Sequence, residues 1–229
     1  MPTFGIVGEG ITDQIVLEQI LLGHFGDDEE EPAVNYVQPL LDVTGKKGAP
    51  EPGGWSLVLK WLELGRHKEA LQFNDYLVIQ IDTDVSQQKG YDVPWRDGGK
   101  DLTVEELVAR VVGKLVGLIG AEFYAAHKSR FLFAVAVNEI ECWLLPLFFV
   151  DNKAAKTTGC LEAISHEQRR RNEAPLLQAD SKDPKRYREV ARQYNKPKIL
   201  RKSYPKNRSF ELFIQQLDAL QLQPSASQP

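Results

Sequence analysis

Short apolar runs alternate along this chain with longer stretches of helical spacing. Phe4-Gly5-Ile6-Val7 reads as a buried strand. The turn Gly8-Glu9-Gly10 follows, and Thr12 or Asp13 is placed to cap a helix. Ile15, Val16, Gln19, Ile20 and Leu21 trace the face of that helix, which ends near residues 23–26. A second strand is predicted over residues 34–40 and an amphipathic helix over 55–71, carrying Leu57, Val58, Trp61, Leu62 and Leu64. The central run Leu77-Val78-Ile79-Gln80-Ile81 is the third strand, and it stops at Asp82-Thr83-Asp84. Thr103 and Glu106 form a capping box that opens a helix to about residue 127. Residues 131–137 make a fourth strand, and 143–149 an apolar helix in which Trp143 belongs to the core. Strands spaced by helices predict an α/β fold with a parallel sheet and right-handed crossovers.

Beyond residue 150 the character changes. Residues 150–158 read as a linker, and 161–171 as a helix ending in Arg169-Arg170-Arg171. Asp183-Pro184 starts a helix through about residue 194. A basic stretch over 196–208 holds Tyr204, and Ser209 is placed to cap a last helix over 210–220. The organisation expected is an α/β domain over 1–150, a basic helical appendage over 151–220 and a disordered tail over 221–229. The acidic run 27–31 and the Gly/Lys/Pro-rich stretch 45–54 read as loops. The polar loop 85–100, with Tyr91, Trp95 and Arg96, is longer than a connection needs and so points to function. No internal repeat is present.

Composition adds bounds. The chain has 229 residues, 42% hydrophobic and 26% charged, which is ordinary for a soluble globular protein. Two cysteines, Cys142 and Cys160, are too few for a disulfide framework or a Cys-rich zinc site and fit a reducing cytoplasm. Met1-Pro2-Thr3-Phe4 lacks the pattern of a signal peptide, which again suggests a cytoplasmic chain. Residues 131–150 are long enough to span a membrane, but Asn138, Glu139 and Glu141 sit at their centre. A charge there costs about 2.5–3.5 kcal/mol, so a strand, a polar turn and a helix are expected, with no membrane partner. Net charge is −4, unevenly spread: residues 1–150 hold 12 Lys/Arg against 23 Asp/Glu, and residues 151–210 hold 16 against 7. An acidic body with a basic flank suits a polyanion-handling metal enzyme; two solvated surfaces would look the same.

The candidate chemistry lies where strands end. Ligands of open parallel sheets bind beyond the carboxyl ends of the strands. Asp82 and Asp84, two apart on a strand, would point to one side, and hard cations take such oxygen ligands. A helix cap or turn would use the same residues. Glu9 follows the first strand, and Glu139 and Glu141 follow the fourth. Three sets of acids on one edge repel unless a cation or shifted protonation relieves them. Glu139 and Glu141 also suit the first turn of a helix. His24, His67, His127 and His166 are scattered and read as surface or packing residues.

Gly8-Glu9-Gly10-Ile11-Thr12-Asp13 followed by Ile81-Asp82-Thr83-Asp84 resembles the signature of the TOPRIM family, shared by topoisomerases, bacterial primases, the recombination mediator RecR and OLD-family nucleases. Asn138-Glu139-Ile140-Glu141-Cys142-Trp143-Leu144-Leu145 is similar to a segment of uncharacterised bacterial TOPRIM-like proteins, including RloB-type defence proteins. The resemblance covers roughly residues 3–150. It implies a TOPRIM/Rossmann-like parallel four-stranded sheet. Glu9, Asp82 and Asp84 would be catalytic, and Glu9, Asp82, Asp84, Glu139 and Glu141 would hold Mg²⁺ or Mn²⁺. Two such metals clamp the attacking and leaving oxygens of a phosphodiester.

No second domain supplies a topoisomerase tyrosine and no primase template module is evident, so a nuclease is the expectation, in phage defence or DNA repair. Arg169, Arg170, Arg171, Lys196, Lys198, Arg201 and Lys202 would hold phosphates, with Tyr194 or Tyr204 stacking on bases and DNA favoured over RNA as partner. Lys196, Lys198 or Lys202 would be candidates to stabilise developing charge. The competing readings are a non-catalytic module that binds nucleic acid or an ATPase partner, and a haloacid-dehalogenase-like phosphatase using Asp82 and Asp84.

Overall fold

A computed structural model describes residues 1–26, 31–40, 54–178 and 181–220. In chain order these form β1 (Thr3–Val7), α1 (Ile11–His24), β2 (Ala33–Gln38), α2 (Trp55–Glu63), α3 (His67–Phe73) and β3 (Tyr76–Asp82). A small hairpin, β4 (Arg96–Asp97) with β5 (Lys100–Asp101), leads to α4 (Val104–Ile119) and α5 (Ala121–His127), then β6 (Phe131–Ala136) and α6 (Glu141–Phe148). The remainder is α7 (Cys160–Arg170), the two-residue strands β7 (Leu177–Gln178) and β8 (Ser181–Lys182), α8 (Pro184–Ala191), α9 (Pro197–Ser203) and α10 (Arg208–Asp218). The fold is α/β, with a four-stranded parallel sheet ordered β2-β1-β3-β6, flanked by helices and followed by a helical C-terminal region.

Every residue of the inner strand β3 and of the edge strand β6 is buried, as expected for strands covered on both faces. Alternation sends successive residues into two cores. Phe4, Ile6, Val78, Leu132 and Ala134 pack with α1, α6 and the C-terminal helices. Val7, Leu77, Ile79, Ile81, Phe133 and Val135 pack with α2, α3 and α4. Tyr187, Tyr194, Phe210 and Phe213 thus share one core with the sheet.

Several element limits differ from expectation for local reasons. The helix expected over 55–71 breaks where Gly65 turns to φ +70°, and the one to residue 127 breaks at Gly120 (φ +93°). Thr103 and Glu106 do form the capping box of α4. The cap of α10 is Asn207, whose Oδ1 accepts from Phe210 N at 3.2 Å; Ser209 instead accepts from the Trp143 indole. Gly10 precedes α1 without a side-chain cap, so Asp13 lies inside the first turn. Strand β3 ends at Asp82, so the alternation that would have aligned Asp84 with it stops there. The loop expected over 85–100 is largely ordered by turns and the β4–β5 hairpin. Residues 27–30, 45–53 and 221–229, expected as loops and a disordered tail, lie outside the described residues.

At the β6 margin of the sheet a helix side chain takes one backbone rung. Phe133 N donates to Gln216 Oε1 and Gln216 Nε2 donates to Phe133 O, both at 2.9 Å.

Candidate active site

Glu9 leaves β1 in a turn crowded by polar side chains. A Cβ on Gly10 would lie 2.9 Å from Asp13 Oδ2, and one on Gly8 would lie 3.1 Å from Gln80 Oε1. The Glu9 amide donates to Gln80 Oε1 at 2.9 Å, and Gln80 Nε2 donates to Asp82 Oδ1 at 2.8 Å. The Asp82 amide donates to Glu9 Oε1 at 2.7 Å, which closes a ring across β1 and β3. Gln80 was legible as the one polar residue inside an apolar strand, but its role was not. Gln80 and Asp82 alternate with Ile79 and Ile81, so they face the side of the sheet covered by α1 and α6.

That side brings two more acids. Asp13 is 4% exposed and Glu141, first residue of α6, is fully buried. Both stand in the first turn of their helices, where the helix dipole favours negative charge. The C-terminal region answers them: Lys182 Nζ is 2.6 Å from Glu141 Oε1, and the Tyr187 hydroxyl donates to the same oxygen. Among the buried polar atoms of the described residues, Asp13 Oδ1 and Glu141 Oε2 have no hydrogen-bond partner.

Protonation follows from this crowding. Burial pushes the Glu9 carboxyl up to about 8, with Asp13 and Asp84 adding repulsion and the Asp82 amide opposing. Burial likewise pushes Asp13 up to about 6, against the pull of Lys182. Asp82 is raised well above the usual carboxylate range by burial, then by Asp13, Glu9 and Glu141. For Lys182, burial disfavours the charge, but Glu141, Asp13 and Asp82 together outweigh it and hold the ammonium protonated. The arrangement is a buried, carboxylate-rich cluster with one built-in cation and two oxygens left unbonded. Glu9, Asp13, Asp82 and Glu141 offer oxygen donors of the kind a hard divalent cation takes, but among the described residues no three of them bring their carboxylate oxygens within 4.8 Å of one another.

The remaining expected residues separate from this cluster. Asp84 is exposed and raises Glu9 only through its charge; its amide donates to Asn138 O at 3.0 Å. Glu139 caps α7, its Oε1 accepting from the amides of Cys160 and Leu161, both at 3.0 Å. Cys142 and Cys160, read from the sequence as fitting a reducing cytoplasm, form a disulfide between α6 and α7. Glu139, Cys142 and Cys160 lie close enough to suggest a metal set, but the disulfide uses both sulfurs. Arg170 and Arg171 pair with Glu167, and Arg171 also donates to Phe148 O. Arg169, Lys196, Lys198, Arg201 and Lys202 are exposed. Tyr194 cannot stack on a base, because it is fully buried with its hydroxyl donating to Trp143 O.

Asp13, Gln80, Lys182 and Tyr187 are the members that sequence reasoning missed. Comparison with protein-family models, with curated proteins and with solved structures gives no match for this chain. No helix among the described residues is long and apolar enough to cross a membrane.

Proposed function

We propose that the chain is a metal-dependent nuclease of TOPRIM type that hydrolyses phosphodiesters of nucleic acid, DNA first. The observation that carries this reading is the pair of buried, unbonded oxygens, Asp13 Oδ1 and Glu141 Oε2, beside Glu9 and Asp82. Isolated charge in such a place is costly, and a cation relieves it. Asp82, Asp13, Glu141 and Glu9 would hold Mg²⁺ or Mn²⁺, and the bound ion would supply Lewis-acid stabilisation of the phosphodiester oxygens. Burial pushes Glu9 up to about 8 in the metal-free protein, and a bound cation would favour its charged, ligating form. Gln80 fixes Asp82, and Lys182 adds a positive charge where a phosphate would gain negative charge. Asp84 faces outward, towards arriving substrate. Arg169, Lys196, Lys198 and Lys202 offer exposed charge for the phosphate backbone.

The test is incubation of the full chain with plasmid, single-stranded DNA and RNA, with Mg²⁺, Mn²⁺ or chelator. Metal-dependent cleavage that Asp82→Asn abolishes, in a chain that still folds, is the expected result. Cleavage that survives the substitution, or no cleavage and no metal binding, would refute it.

A further inference from the structure

The segment after Asp82 is built more firmly than a connection requires. The Tyr91 hydroxyl donates to Asp82 O and the Trp95 indole N–H donates to Thr83 O, both at 2.9 Å. Between them, Val93 N donates to Ser86 O and Ser86 Oγ donates to Val93 O, both at 2.8 Å. Leu102 N donates to Trp95 O at 2.8 Å, at the base of the β4–β5 hairpin. Thr83 is itself held from the other side, its amide donating to Asn138 O at 3.0 Å. Trp95 is thus fixed through both its ring and its backbone.

The two aromatic residues that pin this segment differ in what they do with their rings. Tyr91 is fully buried and packs on Trp55 at 5.5 Å. Trp95 remains 39% exposed, although its polar atom is already satisfied. An indole bonded to the backbone between Asp82 and Asp84, on a residue that keeps this much of its surface exposed, offers a stacking surface next to the strand end that carries Asp82. A base in a duplex keeps its faces covered by its neighbours, whereas a single strand offers base faces to an aromatic ring.

We propose that Trp95 is a nucleobase platform and that the substrate of this site is single-stranded nucleic acid; this rests on the nuclease reading above. The ring positions one base, which places the adjoining phosphodiester over the acids.

The experiment uses the full chain carrying Asp82→Asn, checked for fold by circular dichroism, so that strands are bound but not cut. An oligothymidylate with one 2-aminopurine, moved stepwise along the strand, is titrated against it. Stacking should quench the probe at one position. Trp95→Ala should remove that quench and weaken single-strand binding about tenfold while leaving duplex binding unchanged. Trp95→Phe, which keeps a ring, should retain the quench. Equal loss for single strand and duplex, or no loss, would overturn the platform. If the parent chain cleaves but no probe position reports, the platform alone falls. If the folded chain neither binds nor cleaves any nucleic acid, the nuclease reading falls and takes the platform with it.

Discussion

Lys182 Nζ stands 2.6 Å from Glu141 Oε1, so the C-terminal region brings a cation to an acidic cluster built by the sheet, α1 and α6. Removing it leaves Glu141 buried against Asp13 and Asp82 without its counter-charge. Lys182→Met should cost roughly 2 kcal/mol, less than a fully buried pair because 36% of the lysine side chain faces solvent. Adding Glu141→Gln should recover part of that loss. Urea unfolding of the two single variants and the double variant checks the coupling.

The metal-free protein should lose stability as pH rises. Glu9 is pushed up to about 8 and Asp13 to about 6, so the folded state holds protons that the unfolded state releases at about 4. Their contribution is therefore fully present below about pH 4 and is lost as pH passes through 6 and then 8. In chelator, Tm should fall across that window, and Glu9→Gln should flatten the curve. Millimolar Mn²⁺ should raise Tm most at the alkaline end. A Tm that rises with pH in chelator, and does so equally in Glu9→Gln, would contradict the account.

His67 acts with the opposite sign. Burial holds its imidazole below the ordinary range, against Phe123 at 5.1 Å. Burial disfavours its charged form in the fold, so its contribution is present above about pH 6.5 and lost as pH falls. His67→Leu should reduce acid sensitivity below pH 6.5, read as the slope of Tm on pH.

Gly23 is required by a close approach. A Cβ there would lie 1.7 Å from Tyr194 O, in the turn that follows α8. Gly23→Ala must push α1 away from that turn and should destabilise by about 3 kcal/mol or more. Because α1 also carries Asp13, calorimetry should show weaker Mn²⁺ binding in whatever fraction remains folded.

The Cys142–Cys160 disulfide closes a short loop, with a separation of 18 residues. Chain entropy puts its contribution at about 3 kcal/mol. Reduction, or Cys142→Ser, should lower Tm accordingly, and mass spectrometry after alkylation reports the bond directly.

What could be read from the chain alone was what local pattern encodes. The four strands are β-branched or aromatic runs, and Thr103 with Glu106 is a capping signal complete within four residues. Glu9, Asp82 and Glu141 were visible because acids after apolar strands are out of place. Asp13 was hidden, since an Asp at a helix start looks like a cap; only packing against β3 reveals that it is buried. Lys182 and Tyr187 were hidden because their meeting with Glu141 depends on how the C-terminal helices fold back. The misreading of Tyr194 has the same origin: a tyrosine in a basic stretch looks exposed until α1 covers it. The Cys142–Cys160 bond was hidden because the number of cysteines does not say which thiols meet.

Gln216 makes to Phe133 the two bonds that another strand would have made. The carboxamide is a counterfeit of backbone, a donor and an acceptor set side by side on a helix. At that rung it occupies backbone groups that a second chain would need in order to pair with β6. That rung is taken before another strand can reach it, which blunts the β6 margin against edge-to-edge pairing.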